Sequence, residues 1–347
     1  MGLSFLHGPR DRGGPGLPAP GDLPPQRGFA LPAYARDGYD DPRAAEHLRQ
    51  IAYAGANWVQ LTPTWYQPAA AADVIRPSVT TPTDEGIARM IHLAHAHGLN
   101  ALLKPHLDLD DAGPRNTIRP TRPDLWFAAY AEFIAHYARL AARYGADAFA
   151  VGTGLAGTAG DRDRWIAVVE RTRVVYGGSL LYAADHDAYE RVAFWDAVDL
   201  IGVDAHWPLP GPDADARALA QAWRPIRDTL AEFAARAGRP VLFAEAGYSS
   251  VRGALTTPGG AVRPVTPDTA HQAAGYEALL RTFTGQPWWA GVHWWVWAQL
   301  PAPVDRVRSL DYSAHGKQAA HVVARWWAGP REAALSARDG PVGGRAP

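Results

Sequence analysis

The stretch Gly238-Arg239-Pro240-Val241-Leu242-Phe243-Ala244-Glu245-Ala246-Gly247-Tyr248 joins a helix stop to a short apolar run that closes on a carboxylate. A run this short, bounded by Gly and Pro, reads as a buried strand. Working outward, the same unit recurs. Apolar runs lie at 28–33, 58–62, 101–106, 148–153, 179–183, 200–205, 241–245 and 291–297, each followed by a stretch of helical period. Gly55, Gly98 and Gly145, like Gly238, stand where a helix has to end before the next strand. Eight consecutive βα units close naturally into a barrel. An open doubly wound sheet fits the same count, but no Gly-x-Gly-x-x-Gly follows the first run. The expected fold is therefore α/β, a single-domain (β/α)8 TIM barrel over 28–330, with a flexible Gly- and Pro-rich arm at 1–27 and a flexible tail at 331–347.

Composition narrows the function. A net charge of −1 supplies no basic field for nucleic acid or an anionic membrane. The chain has no cysteine, which excludes disulfides, thiolate catalysis and Cys-ligated metal. Lys104 and Lys317 are the only lysines in an arginine-rich chain. Residues 1–28 show neither a clustered positive region nor a continuous apolar segment, so a cytoplasmic location is the expectation.

In a barrel, reactive side chains close the strands at their carboxyl ends. Those positions here carry Tyr34, Trp65, Lys104, His106, Asp108, Tyr182, Asp185, Asp204, His206, Trp207, Glu245, Tyr248, Trp295 and Trp297. Carboxylates can manage an oxocarbenium-like transition state, and aromatic faces stack on pyranose rings, so the set points to an oligosaccharide or polysaccharide substrate with no cofactor. Strand alternation puts Val241, Phe243 and Glu245 on one face, expected to be the barrel interior. Trp295 and Trp297 share a face by the same rule, and Trp297 is the expected sugar platform. His92, His95 and His97 fall at the end of a helix, on the face opposite the expected site, and are not expected to bind metal. A metal-dependent hydrolase could draw on His106, Asp108, Asp185, Asp204 and His206, but the usual His-x-His of the first strand is missing.

Taken with Gly55-Ala56-Asn57-Trp58-Val59, Leu103-Lys104-Pro105-His106, Phe194-Trp195-Asp196, Ile201-Gly202-Val203-Asp204-Ala205 and the closing Gly316-Lys317, the chain resembles glycoside hydrolase family 113, retaining β-mannanases of clan A, over about 28–327. The resemblance implies hydrolysis of β-mannosidic or related β-glycosidic bonds, a nucleophile at Glu245, and an acid/base glutamate in a Gly-Thr-Glu-Leu segment. Here that segment reads Gly152-Thr153-Gly154-Leu155. A second departure is His206, where the family usually has Tyr. Gly154 leaves three accounts open: an engineered acid/base knockout, a protein that recruits another carboxylate, or a non-catalytic sugar-binding pseudo-glycosidase. The substitutes considered are Asp161, Asp163, Asp185, and Asp204 with His206. The expected function is a glycosidase whose acid step is impaired or rerouted.

Overall fold

A computed structural model describes residues 24–260, 265–302 and 310–328. Eight strands form a closed, all-parallel barrel. In chain order they are β1 (Gln26–Pro32), β2 (Trp58–Thr62), β4 (Asn100–Leu103), β6 (Ala148–Thr153), β7 (Ser179–Asp185), β8 (Leu200–Asp204), β9 (Val241–Ala246) and β10 (Trp289–Trp294). Two further strands, β3 (Thr64–Gln67) and β5 (His106–Leu109), pair with each other above the rim. Gln26 and Arg27 belong to β1, so the arm expected over 1–27 ends earlier than its sequence suggested; the rest of it up to residue 23, and the tail at 331–347, lie outside the described residues.

Helices α1 (Pro42–Tyr53), α2 (Asp84–Ala96), α3 (Pro123–Tyr144), α4 (Arg162–Val175), α5 (Ala216–Ala237), α6 (Thr269–Phe283) and α7 (Gln318–Trp327) surround the barrel. Four of these helices start on a side-chain cap: Asp41 accepts from the Arg43 N–H, Thr83 from Gly86, Asp215 from Ala218 and Asp268 from His271. Such caps contribute about 1 kcal/mol each. Gly55, Gly98, Gly145 and Gly238 all take positive φ at the helix ends, as their positions led us to expect. One unit departs from the pattern. After β7 there is no α-helix, only two 3-10 turns at Tyr189–Arg191 and Trp195–Ala197.

The barrel lumen is filled by small and aliphatic side chains: Leu102, Ala148, Ala150, Leu181, Ala183, Leu242 and Ala244. The large aromatics lie between sheet and helices, as with Trp165 stacked on Phe194 and Trp294 stacked on Tyr276. This corrects the expected orientation of β9. Val241 and Phe243 face the helix layer, where Phe243 packs on Trp223 and Phe283, while the intervening Leu242 and Ala244 fill the lumen. The eight-stranded lumen has room only for modest side chains, so the bulkier face of each strand turns outward.

Candidate active site

By alternation from Leu242 and Ala244, Glu245 would point outward. It does not, because β9 is irregular at this point. Against β8, Val203 pairs with Phe243 but Asp204 pairs with Glu245, so Ala244 is an extra residue in the ladder. A bulge of this kind re-aims the following side chain. β6 does the same: Ala150 pairs with Leu181 and Thr153 with Ala183, which turns Thr153 toward the rim, its hydroxyl 3.4 Å from Asp204 Oδ2. Both irregularities lie at the carboxyl ends of their strands.

Glu245 is only 9% exposed and is held on both oxygens. Lys104 Nζ donates to Oε1 at 2.6 Å and His106 Nε2 lies 3.5 Å from the same atom, while His206 Nε2 is 3.4 Å from Oε2. Lys104 also donates to Asp204 Oδ1 at 3.2 Å. Burial opposes ionisation of Glu245 most strongly, yet Lys104, His206 and His106 together hold its carboxyl well below the usual carboxylate range. Asp204 goes the other way. Burial, then the Glu245 charge, raises its pKa despite Lys104. The site thus keeps one carboxyl ionised and pushes its neighbour toward the acid form. Burial drives the His106 imidazole well below its ordinary value, reinforced by Arg115 and Lys104, so it is neutral. For His206 burial disfavours the imidazolium, but the Glu245 carboxylate and Asp204 prevail and its pKa is raised.

These shifts give an expected result in solution. In imidazole NMR titrations, His206 should protonate above the ordinary histidine pKa of about 6.5 and His106 below it, with His206 moving downward in Glu245→Gln. A His206 pKa at or below that of an exposed histidine would refute the ion pair. Stability linked to His206 is present below its unfolded pKa and lost as pH rises through the folded one.

The other expected site residues divide sharply. Trp295 is half-buried beside the site, its ring stacked 5.7 Å from His106 at an interplanar angle of 14°. Asp108 is at the rim and forms a 2.7 Å ion pair with Arg115. Trp207 is half-buried, edge-on to His186 and Trp223. Four aromatics expected to meet sugar are instead turned into the helix layer. Trp297 is 3% exposed and edge-on to Phe29; β10 ends at Trp294, so the period-two relation to Trp295 does not hold. Tyr182 is buried against Trp165 and Phe194, its hydroxyl accepting from the Leu155 N–H. Tyr248 is buried against Gly275 of α6, and Trp65 packs on Phe133 and His136 of α3. Lys104 is wholly buried and occupied by the two carboxylates rather than open to substrate.

Sequence reasoning missed Tyr66, Arg115 and Tyr312. Tyr66 shares the Asp108 register position on the short sheet, the face opposite Trp65 and Leu107. Tyr312 lies edge-on to His206. Arg115, in the 3-10 turn Arg115–Thr117 after β5, packs its methylenes over Gly154: a Cβ at that glycine would be 3.0 Å from Arg115 Cδ and 3.4 Å from Asp185 Oδ1. Its single signal, one arginine in an arginine-rich chain, could not have been separated from the background. Away from the site, His95 pairs with Asp147 at 2.9 Å. Among the described residues no group of His, Cys, Asp and Glu is arranged to hold a metal ion, and no helix is long and apolar enough to cross a membrane.

A closed parallel barrel whose carboxyl rim gathers an ionised glutamate, a second acidic side chain and a half-buried tryptophan is the architecture of a glycoside hydrolase. The family model of Glycoside Hydrolase Family 113 matches residues 29–317, and the chain belongs to that family. Among solved structures it is similar to the family 113 β-mannanase AaManA from Alicyclobacillus acidocaldarius in complex with ManMIm, at 29% identity and TM-score 0.81, covering 89% of this chain and 99% of that one. A second family 113 β-1,4-mannanase gives 23% identity and TM-score 0.81, covering 88% and 99%. The β-glucuronidase of Ruminococcus gnavus shares the barrel at 13% identity and TM-score 0.60, with 88% of this chain matched to 50% of that one. No curated protein sequence matches this chain.

Proposed function

We propose that this protein is a retaining glycoside hydrolase acting on β-mannosidic or related β-glycosidic bonds, with Glu245 as nucleophile. The observation that carries the reading is the state of Glu245: a buried carboxylate at the rim, kept ionised by Lys104, with Oε2 engaged only at 3.4 Å and so the oxygen better placed to attack. Likeness to AaManA, a β-mannanase across almost its whole length, supports the sugar class. Trp295 is the platform for the ring bound next to Glu245, with Asp108, His106, His206 and Trp207 around it.

Gly154 takes the place of the proton donor. Its φ of +61° lies in the left-handed region, where a glutamate would cost about 1–2 kcal/mol. The space beyond it is filled by Arg115. A simple truncation leaves a hole; packing of this kind supports a native arrangement in which the acid step has been rerouted. A fluorinated mannoside with a good leaving group, which forms the glycosyl-enzyme but hydrolyses it slowly, should label Glu245 in a one-to-one adduct found by peptide mass spectrometry. Binding of mannooligosaccharides without any label or turnover would favour a sugar-binding barrel instead.

A further inference from the structure

Asp185 closes β7 in register with Asp204, which is in turn in register with Glu245, so three acidic side chains stand side by side on consecutive strands. Its Oδ1 lies 3.4 Å from the point a Gly154 Cβ would occupy. A glutamate rooted at that Cβ would sweep its carboxylate through space that Asp185 already borders. Asp185 Oδ2 is buried and has no hydrogen-bond partner among the described residues, an unusual state for a carboxyl oxygen unless a substrate group is to meet it.

We propose that Asp185 is the acid/base catalyst of this protein, supplied from the neighbouring strand in place of a residue at Gly154. The proposal rests on Glu245 being the nucleophile. In the first step Glu245 Oε2 bonds to the anomeric carbon as the bond to the leaving oxygen breaks, and that oxygen takes the Asp185 proton. In the second, water attacks the anomeric carbon, gives a proton to Asp185, and the ester to Glu245 breaks, which restores both carboxyl groups.

The surroundings suit both roles. The groups facing Asp185 are Arg115 from the turn after β5, Asp204 and His206 from β8 and the segment following it, Glu245 from β9, Asp187 from its own loop and Tyr182 from its own strand. Burial raises the Asp185 pKa most, Arg115 opposes this, and Asp187 and Glu245 add to it. Before reaction the Glu245 charge therefore favours the protonated, acid form. Once Glu245 is esterified its charge is gone while Arg115 remains, which favours the ionised, base form.

The test compares wild type with Asp185→Ala and Asp185→Asn on a mannooligosaccharide and on a dinitrophenyl β-mannoside, with and without azide. The expected loss on the oligosaccharide is about 10²- to 10⁴-fold, and much smaller on the dinitrophenyl substrate, whose leaving group needs no proton. Azide should accelerate the Asp185→Ala variant, not the wild type, and yield the β-glycosyl azide. Either equal losses on both substrates without azide rescue, or oligosaccharide turnover indistinguishable from wild type, would overturn the assignment. Labelling of Glu245 by the fluorinated mannoside in both variants keeps the outcomes separable: a labelled variant with wild-type turnover refutes Asp185 alone, whereas a wild type that never labels refutes the nucleophile and this proposal with it.

Discussion

Glu245→Ala is expected to reduce kcat/KM on an aryl β-mannoside on the order of 10⁵-fold, the scale on which covalent enzymes lose rate when the attacking group is deleted. The reduction should come through kcat, because Trp295 and the rim side chains that bind sugar are untouched. Azide gives a stereochemical check. In Glu245→Ala the anion enters from the face Glu245 vacates and yields the α-glycosyl azide, the configuration opposite to that expected from Asp185→Ala. A β product from the Glu245 variant would place the nucleophile elsewhere. The fold should survive. With the Glu245 charge gone, Asp204 loses its main like-charge neighbour, ionises more readily and keeps Lys104 paired at 3.2 Å. A collapsed melting transition would show that Glu245 is needed for structure rather than chemistry.

Lys104→Met should be costlier to the fold. Lys104 is completely buried and is the cation shared by Glu245 and Asp204, so its removal strands two carboxyl groups away from water. Breaking a buried ion pair from one side costs about 3–5 kcal/mol. The sign of the pH dependence follows from the direction of the shifts. In the wild type the Glu245 pKa is depressed, so its stabilisation is present above the unfolded carboxyl pKa and lost as pH falls through the folded value. In Lys104→Met both carboxyl groups have pKa values raised by burial, so the destabilisation grows as pH rises above the unfolded value and shrinks in acid. Denaturant unfolding of the two proteins at mildly acidic and mildly alkaline pH measures this directly. A stability difference that is small, or that is larger in acid, would contradict the picture of a lysine clamping two carboxylates. Activity should fall as well, since only His206 and His106 would then oppose the burial that disfavours the ionised form of Glu245.

Much of the molecule was legible in the order of its residues. The alternation of apolar runs with helical stretches, and glycines at helix ends, determined the closed barrel, because burial and the backbone freedom of glycine act locally and leave a local trace. Position at a strand's carboxyl end singled out Glu245, Lys104, His106, Asp204 and His206, five residues that do converge. Which way each side chain points was a different matter. The period-two rule holds only while the ladder is regular, and the bulges of β6 and β9 reverse it just where the chemistry lies. For the same reason Trp295 and Trp297 part company beyond the end of β10. Tyr182, by contrast, obeys the rule: it lies between Leu181 and Ala183 of the lumen on a regular ladder and so faces the helices.

Arg115 over Gly154, and Asp185 beside both, belong to contacts between distant parts of the chain. No local pattern encodes them. The sequence on its own determined the fold class and the ring of candidate residues, since these follow from periodicity. Only the tertiary structure decided which side chains enter the rim, because packing in a narrow lumen and two extra ladder residues override periodicity there.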